Sequence, residues 1–378
     1  MTQIRIPLSA PDILEDEIAA VADVLRTPQL SLGPQLDAFE REFAAYIGVE
    51  HAIAVNSGTS GLHLCMCALD LRAGDEVIVP SFTFIAAANA IRMVGATPVF
   101  VDIDPISLNL NPKNVAAAVT ARTRAILAVH TFGRPAAMAE ILAIAERHRL
   151  AVVEDVCEAI GAEYRGRKVG PLGDAGVFAF YPNKQITTGE GGMIVTRHPH
   201  VAQRARSLRN QGRISSGDGF DHVELGYNYR LPEMACALGR TQLRRVESIL
   251  ERRAEVAAWY HRCLHGNPNL LLPEGDTAEG RVSWFVYVVR LAARFQRSDR
   301  DAILRALAER GIGCARYFAP IHLQPAYQDS RRTEDALPVT EYVGQRTIAL
   351  PFFNRISSAQ VQEVCRILEE AMGTILPR

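Results

Sequence analysis

Residues 51–69, HAIAVNSGTSGLHLCMCAL, decide the fold. A short apolar run at 52–56 breaks at Asn56-Ser57-Gly58, and a helix-period pattern at 59–69 begins at once. A strand that turns through glycine into a helix is the building unit of a doubly wound sheet. The same alternation continues along the chain. It predicts strands at 76–80, 98–102, 125–130, 151–155, 176–181 and 193–196, with helices at 86–93, 112–119 and 136–148. Several of these strands are continuous apolar runs, as expected of a mainly parallel sheet covered by helices on both faces. Ligands of such sheets sit beyond the carboxyl ends of the strands. That rule singles out the turn at 57–60, Asp155, and the chain that follows Tyr181.

Further along, Pro232 opens a predicted long helix that runs toward Leu264, because proline suits a first helical turn. The Pro- and Gly-rich stretch 265–276 (HGNPNLLLPEGD) interrupts the pattern before a strand at 283–291 and helices at 300–310 and 358–372. We expect a large α/β domain at 1–250 and a smaller α/β domain at 251–378, in line with a length of 378 residues. The formal net charge is −1, so there is no basic field to favour nucleic acid or an anionic membrane. Neither a signal-like apolar segment at the N-terminus nor a run of ~20 apolar residues is present. The cysteines (65, 67, 157, 236, 263, 314 and 365) are scattered and show no metal-ligand spacing. Reduced thiols in a cytoplasmic protein without metal is the expectation.

Each of the three segments has a bland and a chemical reading. Gly58, Thr59 and Ser60 stand where a helix N-terminus offers free N–H groups and a positive dipole end to an anion; Ser57 or Thr59 could equally be a plain helix cap. Asp155 closes the run LAVVED, either as a loop cap or as a carboxylate aimed at a ligand. Glu154 must then face the other side of the strand. Lys184, in FAFYPNKQITTGEGG (178–192), is set among small and apolar residues. A lysine so placed can act as a nucleophile toward an aldehyde and later as a base; the alternative is a loop lysine. His130, at the end of AILAVH, reads as a satisfied histidine near the site and not as a catalyst.

Taken together, NSGTS (56–60), VVEDVCEAIGA (152–162), the lysine segment and GYNYR (226–230) resemble the DegT/DnrJ/EryC1/StrS family. PSFTFIAAANAI (80–91), TPVFVDID (97–104) and RYFAPIHLQPAY (316–327) extend the likeness over nearly the whole chain. The resemblance implies a fold-type-I, pyridoxal 5′-phosphate-dependent aminotransferase of nucleotide-linked keto sugars. Lys184 would form the Schiff base, Asp155 would pair with the pyridine nitrogen, and Gly58, Thr59 and Ser60 would bind the phosphate. Phe84 would stack on the ring. Asn228 would reach the phosphate of a neighbouring subunit in a homodimer, and Arg230 would hold a carboxylate of the amino donor. Glu158 resembles the perosamine-synthase branch, which aminates C4 of a 4-keto-6-deoxy sugar at the expense of L-glutamate, leaving 2-oxoglutarate. Arg316, Tyr317, Phe318 and His322 would contact the sugar or its diphosphate. Relatives carry a serine where this chain has Ala179, which removes one phosphate contact. The rival readings are amination at C3 or of a cyclitol, a silent pyridoxal-phosphate-binding regulator, and a desulfurase using Cys314. A subgroup with histidine in place of the lysine carries out dehydration; Lys184 argues against that chemistry.

Overall fold

The computed structural model describes residues 4–213, 221–330 and 336–375. A seven-stranded sheet occupies its centre, in the order 51–55, 192–196, 175–179, 151–155, 123–129, 76–80, 97–101. The last five of these strands run parallel, as the alternation of strands and helices demands. Strand 192–196 is antiparallel to both of its neighbours. No helix lies between 179 and 192. A parallel return needs a crossover, usually through a helix, so this connection gives an antiparallel pair instead.

Alternate residues of each strand feed two different cores. Ile53, Val55, Val153 and Val177 pack with helices Gly58–Ala68, Ala86–Met93 and Pro199–Arg209. Ala52, Ala54, Val152 and Phe178 pack on the opposite face with helices Pro34–Ile47 and Met138–His148. With both faces covered, the strands hold few polar residues, and Glu154 and Asp155 at the end of Ala151–Asp155 are exceptions. The α/β architecture is therefore the expected one.

A second, three-stranded sheet (270–271, 287–291, 347–350) is covered by helices Arg297–Glu309 and Ser358–Ile375. The predicted helix 232–264 is divided at Arg245 into Glu233–Arg244 and Val246–Leu264. Arg245 leaves helical geometry while its guanidinium pairs with Asp12 at 2.7 Å and Glu17 at 2.6 Å. Ile249 and Leu250 join the large core, whereas Val256, Ala257 and Tyr260 join the core of the second sheet. We propose a division near residue 250, with one amendment. Ile6 bridges to Ile312 and is buried in the second core, so the first described residues pack with the smaller unit. No described helix is long and apolar enough to cross a membrane.

Candidate active site

A cavity of about 600 Å³ opens beyond the carboxyl ends of strands 151–155 and 175–179. All three segments singled out in the sequence reach it: Gly58 and Thr59, Asp155, and Lys184 are in its wall. The chain makes this possible by local means. Ser57 caps helix Gly58–Ala68 by accepting the Ser60 N–H at 3.0 Å, and its carbonyl accepts that of Gly61. The amides of Gly58 and Thr59 precede these and face no protein acceptor among the described residues. A Cβ on Gly58 would lie 2.8 Å from that of Ala179 and 2.9 Å from Cys157 Sγ, so only glycine fits this floor.

The loop that carries Lys184 is closed by its own backbone. Phe180 N–H donates to Gly191 O at 2.9 Å and Thr188 N–H to Phe180 O at 3.0 Å. Gln185 anchors the loop from below by donating to Glu158 O at 2.7 Å. Lys184 Nζ then stands 3.6 Å from Glu158 Oε1 and 4.1 Å from the centre of the Phe285 ring. Burial, with the neighbouring Asp155 charge, pushes the Glu158 carboxyl above its ordinary value, against the pull of Lys184 and the Phe132 N–H. Asp155 Oδ1 accepts the Cys157 N–H at 3.0 Å, which fixes the carboxylate at the strand end.

The two adjacent carboxylates of LAVVED have different surroundings, as strand alternation requires. Glu154 is fully buried and accepts four donors: His130 Nε2 at 3.0 Å and the amides of Gly170, Leu172 and Gly173 at 2.7–2.8 Å. His130 Nδ1 accepts the Ala136 N–H at 3.0 Å, so Nε2 carries the proton given to Glu154. This histidine is a structural tie.

Phe84, Glu158, Ala179, Arg316, Tyr317 and Phe318 also line the cavity, Phe84 on its open side at 61% exposure. Four expected site residues do not. The Ser60 hydroxyl turns back to donate to Asn56 Oδ1 at 2.6 Å, and Ser57 lines the cavity in its place. His322 is buried between Ser81 Oγ at 2.6 Å and Glu341 at 3.2 Å, where it joins two loops. Asn228 is exposed, outside this cavity, and Arg230 is bonded to Asn210 at 2.9 Å. Residues missed in the sequence include Thr83, Tyr181, Asn183 and Phe285. Asn183 Oδ1 is buried with no protein partner among the described residues, a polar atom left for a ligand. Neither the thiol raised by the desulfurase reading, Cys314, nor Cys157 in the cavity wall is activated. Burial pushes the Cys157 thiol far up, and the Cys314 thiol to about 11. Among the described residues there is no cluster suited to a metal ion.

Comparison with known proteins gives one consistent picture. The model of the DegT/DnrJ/EryC1/StrS aminotransferase family matches residues 11–369. A GDP-perosamine synthase of Caulobacter vibrioides is 39% identical over 369 residues, which are 97% of this chain and 98% of the relative. Among solved structures, S. venezuelae DesV in complex with a ketimine intermediate superposes with a TM-score of 0.89 at 37% identity, covering 98% of both chains. Helicobacter pylori PseC, an aminotransferase involved in the biosynthesis of pseudoaminic acid, gives 0.93 at 28% identity, covering 98% of this chain and all of that one.

Proposed function

The chain belongs to the DegT/DnrJ/EryC1/StrS aminotransferase family, and from that premise we propose a pyridoxal-phosphate-dependent sugar aminotransferase that takes nitrogen from L-glutamate and places it at C4 of a nucleotide-linked 4-keto-6-deoxy sugar. The convergence of Lys184, Asp155 and the Gly58-Thr59 turn on one cavity carries this reading. The likeness to a GDP-perosamine synthase supports the sugar class.

The residues present fit the cofactor. Free amides at the Gly58 turn suit a phosphate, the cavity wall supplies a primary amine at Lys184 for an aldehyde, and Asp155 supplies an anion for a pyridinium nitrogen. Ala179 offers no hydroxyl, so the amides and the Thr59 hydroxyl would hold the phosphate. When bound, pyridoxal phosphate supplies a carbonyl that condenses with amines and a ring that stores carbanion electrons.

The chain's own groups do the rest. Asp155 keeps a proton on the ring nitrogen by its charge. Lys184, once free, carries protons at Nζ between the reacting carbons. Tyr317, Phe318 and the Arg316 guanidinium form a wall suited to a sugar and its diphosphate. Arg316 lines the cavity and makes no ion pair among the described residues, so its charge is available. Asn228 and Arg230 lie outside the cavity and would serve a site completed by a second copy of the chain.

The test is the absorbance spectrum of protein loaded with pyridoxal phosphate. L-Glutamate should convert the lysine-bound band to that of the pyridoxamine form, and one member of a panel of nucleotide-linked 4-keto-6-deoxy sugars should restore it. Restoration only by a 3-keto sugar or a cyclitol ketone would overturn the C4 assignment. A band that glutamate leaves untouched would overturn the donor, and no band at all would overturn the cofactor.

A further inference from the structure

We propose that Glu158 manages the proton of Lys184: its carboxylate keeps the resting side chain an ammonium ion and accepts that proton when the amine must react. The inference rests on the reading of Lys184 as the amine that captures the cofactor aldehyde, and it deepens that reading by giving Glu158 a role other than substrate contact.

The geometry is specific. Glu158 Oε2 is pinned by the Phe132 N–H at 3.0 Å, which leaves Oε1 directed at Lys184 Nζ, 3.6 Å away. The Phe285 ring centre is 4.1 Å from the same Nζ. That ring is itself held in place. Arg253, 2% exposed, donates to Trp284 O and Phe285 O at 2.7 Å each and to Asn354 Oδ1 at 2.9 Å. A carboxylate and an aromatic face both favour the charged amine. An ammonium cannot attack a carbonyl, so the proton must leave before Lys184 can act.

Of the titratable groups that face this pair, Glu158 is the suitable acceptor. The Cys157 thiol and the Tyr317 phenol are acids pushed up by burial, and neither has an anionic form to offer at neutral pH. Among the described residues, Asp155 is not paired with Lys184, whose ion pair is with Glu158. Tyr181, Glu190 and Arg316 stand elsewhere on the cavity wall, and none is paired with Lys184. Burial and the Asp155 charge raise the Glu158 carboxyl, which brings it closer to a lysine ammonium as a proton partner. A separation of 3.6 Å is longer than a transfer distance, but such contacts commonly tighten when the reactant binds.

The step balances. An Nζ–H bond breaks and an Oε1–H bond forms, turning ammonium and carboxylate into amine and carboxylic acid. After the amine adds to the carbonyl, the acid returns its proton to the departing oxygen. Net, one ammonium and one aldehyde give one protonated C=N bond and one water, and Glu158 ends as it began.

Two measurements on cofactor-free protein, at matched pH, test this in the wild type, Glu158→Gln and Glu158→Asp. The first is trace acetylation of Lys184 by acetic anhydride, read by mass spectrometry, with exposed Lys113 as internal reference. The second is the rate of pyridoxal phosphate capture, read by stopped-flow absorbance. Without the carboxylate the ammonium loses support, so Glu158→Gln should acetylate at lower pH, by roughly tenfold at a fixed pH below the midpoint. The same variant should capture the cofactor more slowly, on the order of a hundredfold. Opposite movements of the two rates are the signature, and Glu158→Asp should recover part of both. Rates that stay unchanged, or that move together, overturn the proposal. If no form of the protein captures pyridoxal phosphate, the cofactor reading fails by itself. Acetylation then still decides: a shifted midpoint upholds the Glu158–Lys184 coupling, and an unshifted one overturns it.

Discussion

Replacing Glu154 by glutamine should destabilise the protein severely, although the change is isosteric and lies next to the proposed catalytic aspartate. Glu154 Oε1 accepts the amides of Leu172 and Gly173, and Oε2 accepts Gly170 N–H and His130 Nε2–H. Every partner is a donor, so either orientation of a glutamine amide sets an NH2 group against two of them. His130 cannot relieve the clash by changing tautomer, because its Nδ1 is already committed to accepting the Ala136 N–H. Two hydrogen bonds to a charged acceptor are lost, at ~1.5–3 kcal/mol each, which gives a cost of about 3–6 kcal/mol. An unfolding entropy of about 2 cal/mol/K per residue converts this to a fall in Tm of roughly 4–8 °C for a chain of 378 residues. Differential scanning calorimetry of cofactor-free protein measures it directly. A Tm within about a degree of wild type would refute the reasoning, since the four-donor cage would then contribute little.

The neighbouring substitution should behave in the opposite way. Asp155→Asn still accepts the Cys157 N–H through its amide oxygen, so its Tm should match wild type while glutamate-driven turnover falls by several orders of magnitude; parallel melting and half-reaction kinetics compare the two. Gly58→Ala places a methyl group 2.8 Å from the Ala179 Cβ; overpacking of this kind costs ~1–3 kcal/mol, and fluorescence titration should show weakened pyridoxal phosphate binding. Glu158→Gln should gain stability relative to wild type as pH rises above the ordinary carboxyl range. The folded Glu158 carboxyl sits above its ordinary value, so its contribution favours the fold below the unfolded pKa near 4.5 and is lost as pH rises through the raised one. Glutamine has no such loss, and its advantage in a series of melts from pH 5 to 8 should grow with pH; a constant difference would contradict the assignment.

Much of this was legible because it depends on local pattern. The seven central strands were marked by apolar runs, and the cavity by the rule that sites gather at strand carboxyl ends. Lys184, Asp155 and Gly58 all stand at such ends or in the turns that follow them. The opposite facing of Glu154 and Asp155 needed only the two-residue period of a strand. The antiparallel strand 192–196 had a signal in the lack of any helical pattern across 180–191, but its apolar composition reads the same in either direction. The break at Arg245 had none, since the helical period continues through it and the ion pairs that divide it come from Asp12 and Glu17, over two hundred residues away.

Ser60 and His322, which stand outside the cavity, illustrate one physical point: a polar side chain in a loop near a site can be spent on the site or on holding the loop, and its identity does not say which. Ser60 and His322 are both spent internally. The Ser60 hydroxyl links the Asn56 amide oxygen to the Ser57 hydroxyl, beside the Gly58 and Thr59 amides that face no protein acceptor among the described residues. His322 fastens the 316–327 segment to Ser81, two residues before the cavity residue Thr83. Both therefore act on the cavity through another group. Phe285 shows the converse: an aromatic residue before a strand looks like core, yet the buried Arg253 presents its ring to Lys184. That placement depends on a guanidinium satisfied by two carbonyls and an amide, with no carboxylate bonded to it among the described residues. A buried cation of this sort is expensive to keep, and what it secures at this point in the fold is the aromatic face beside Lys184. The arrangement thus serves the lysine's environment as well as the second core, whose Phe352 ring lies 5.0 Å from the same guanidinium.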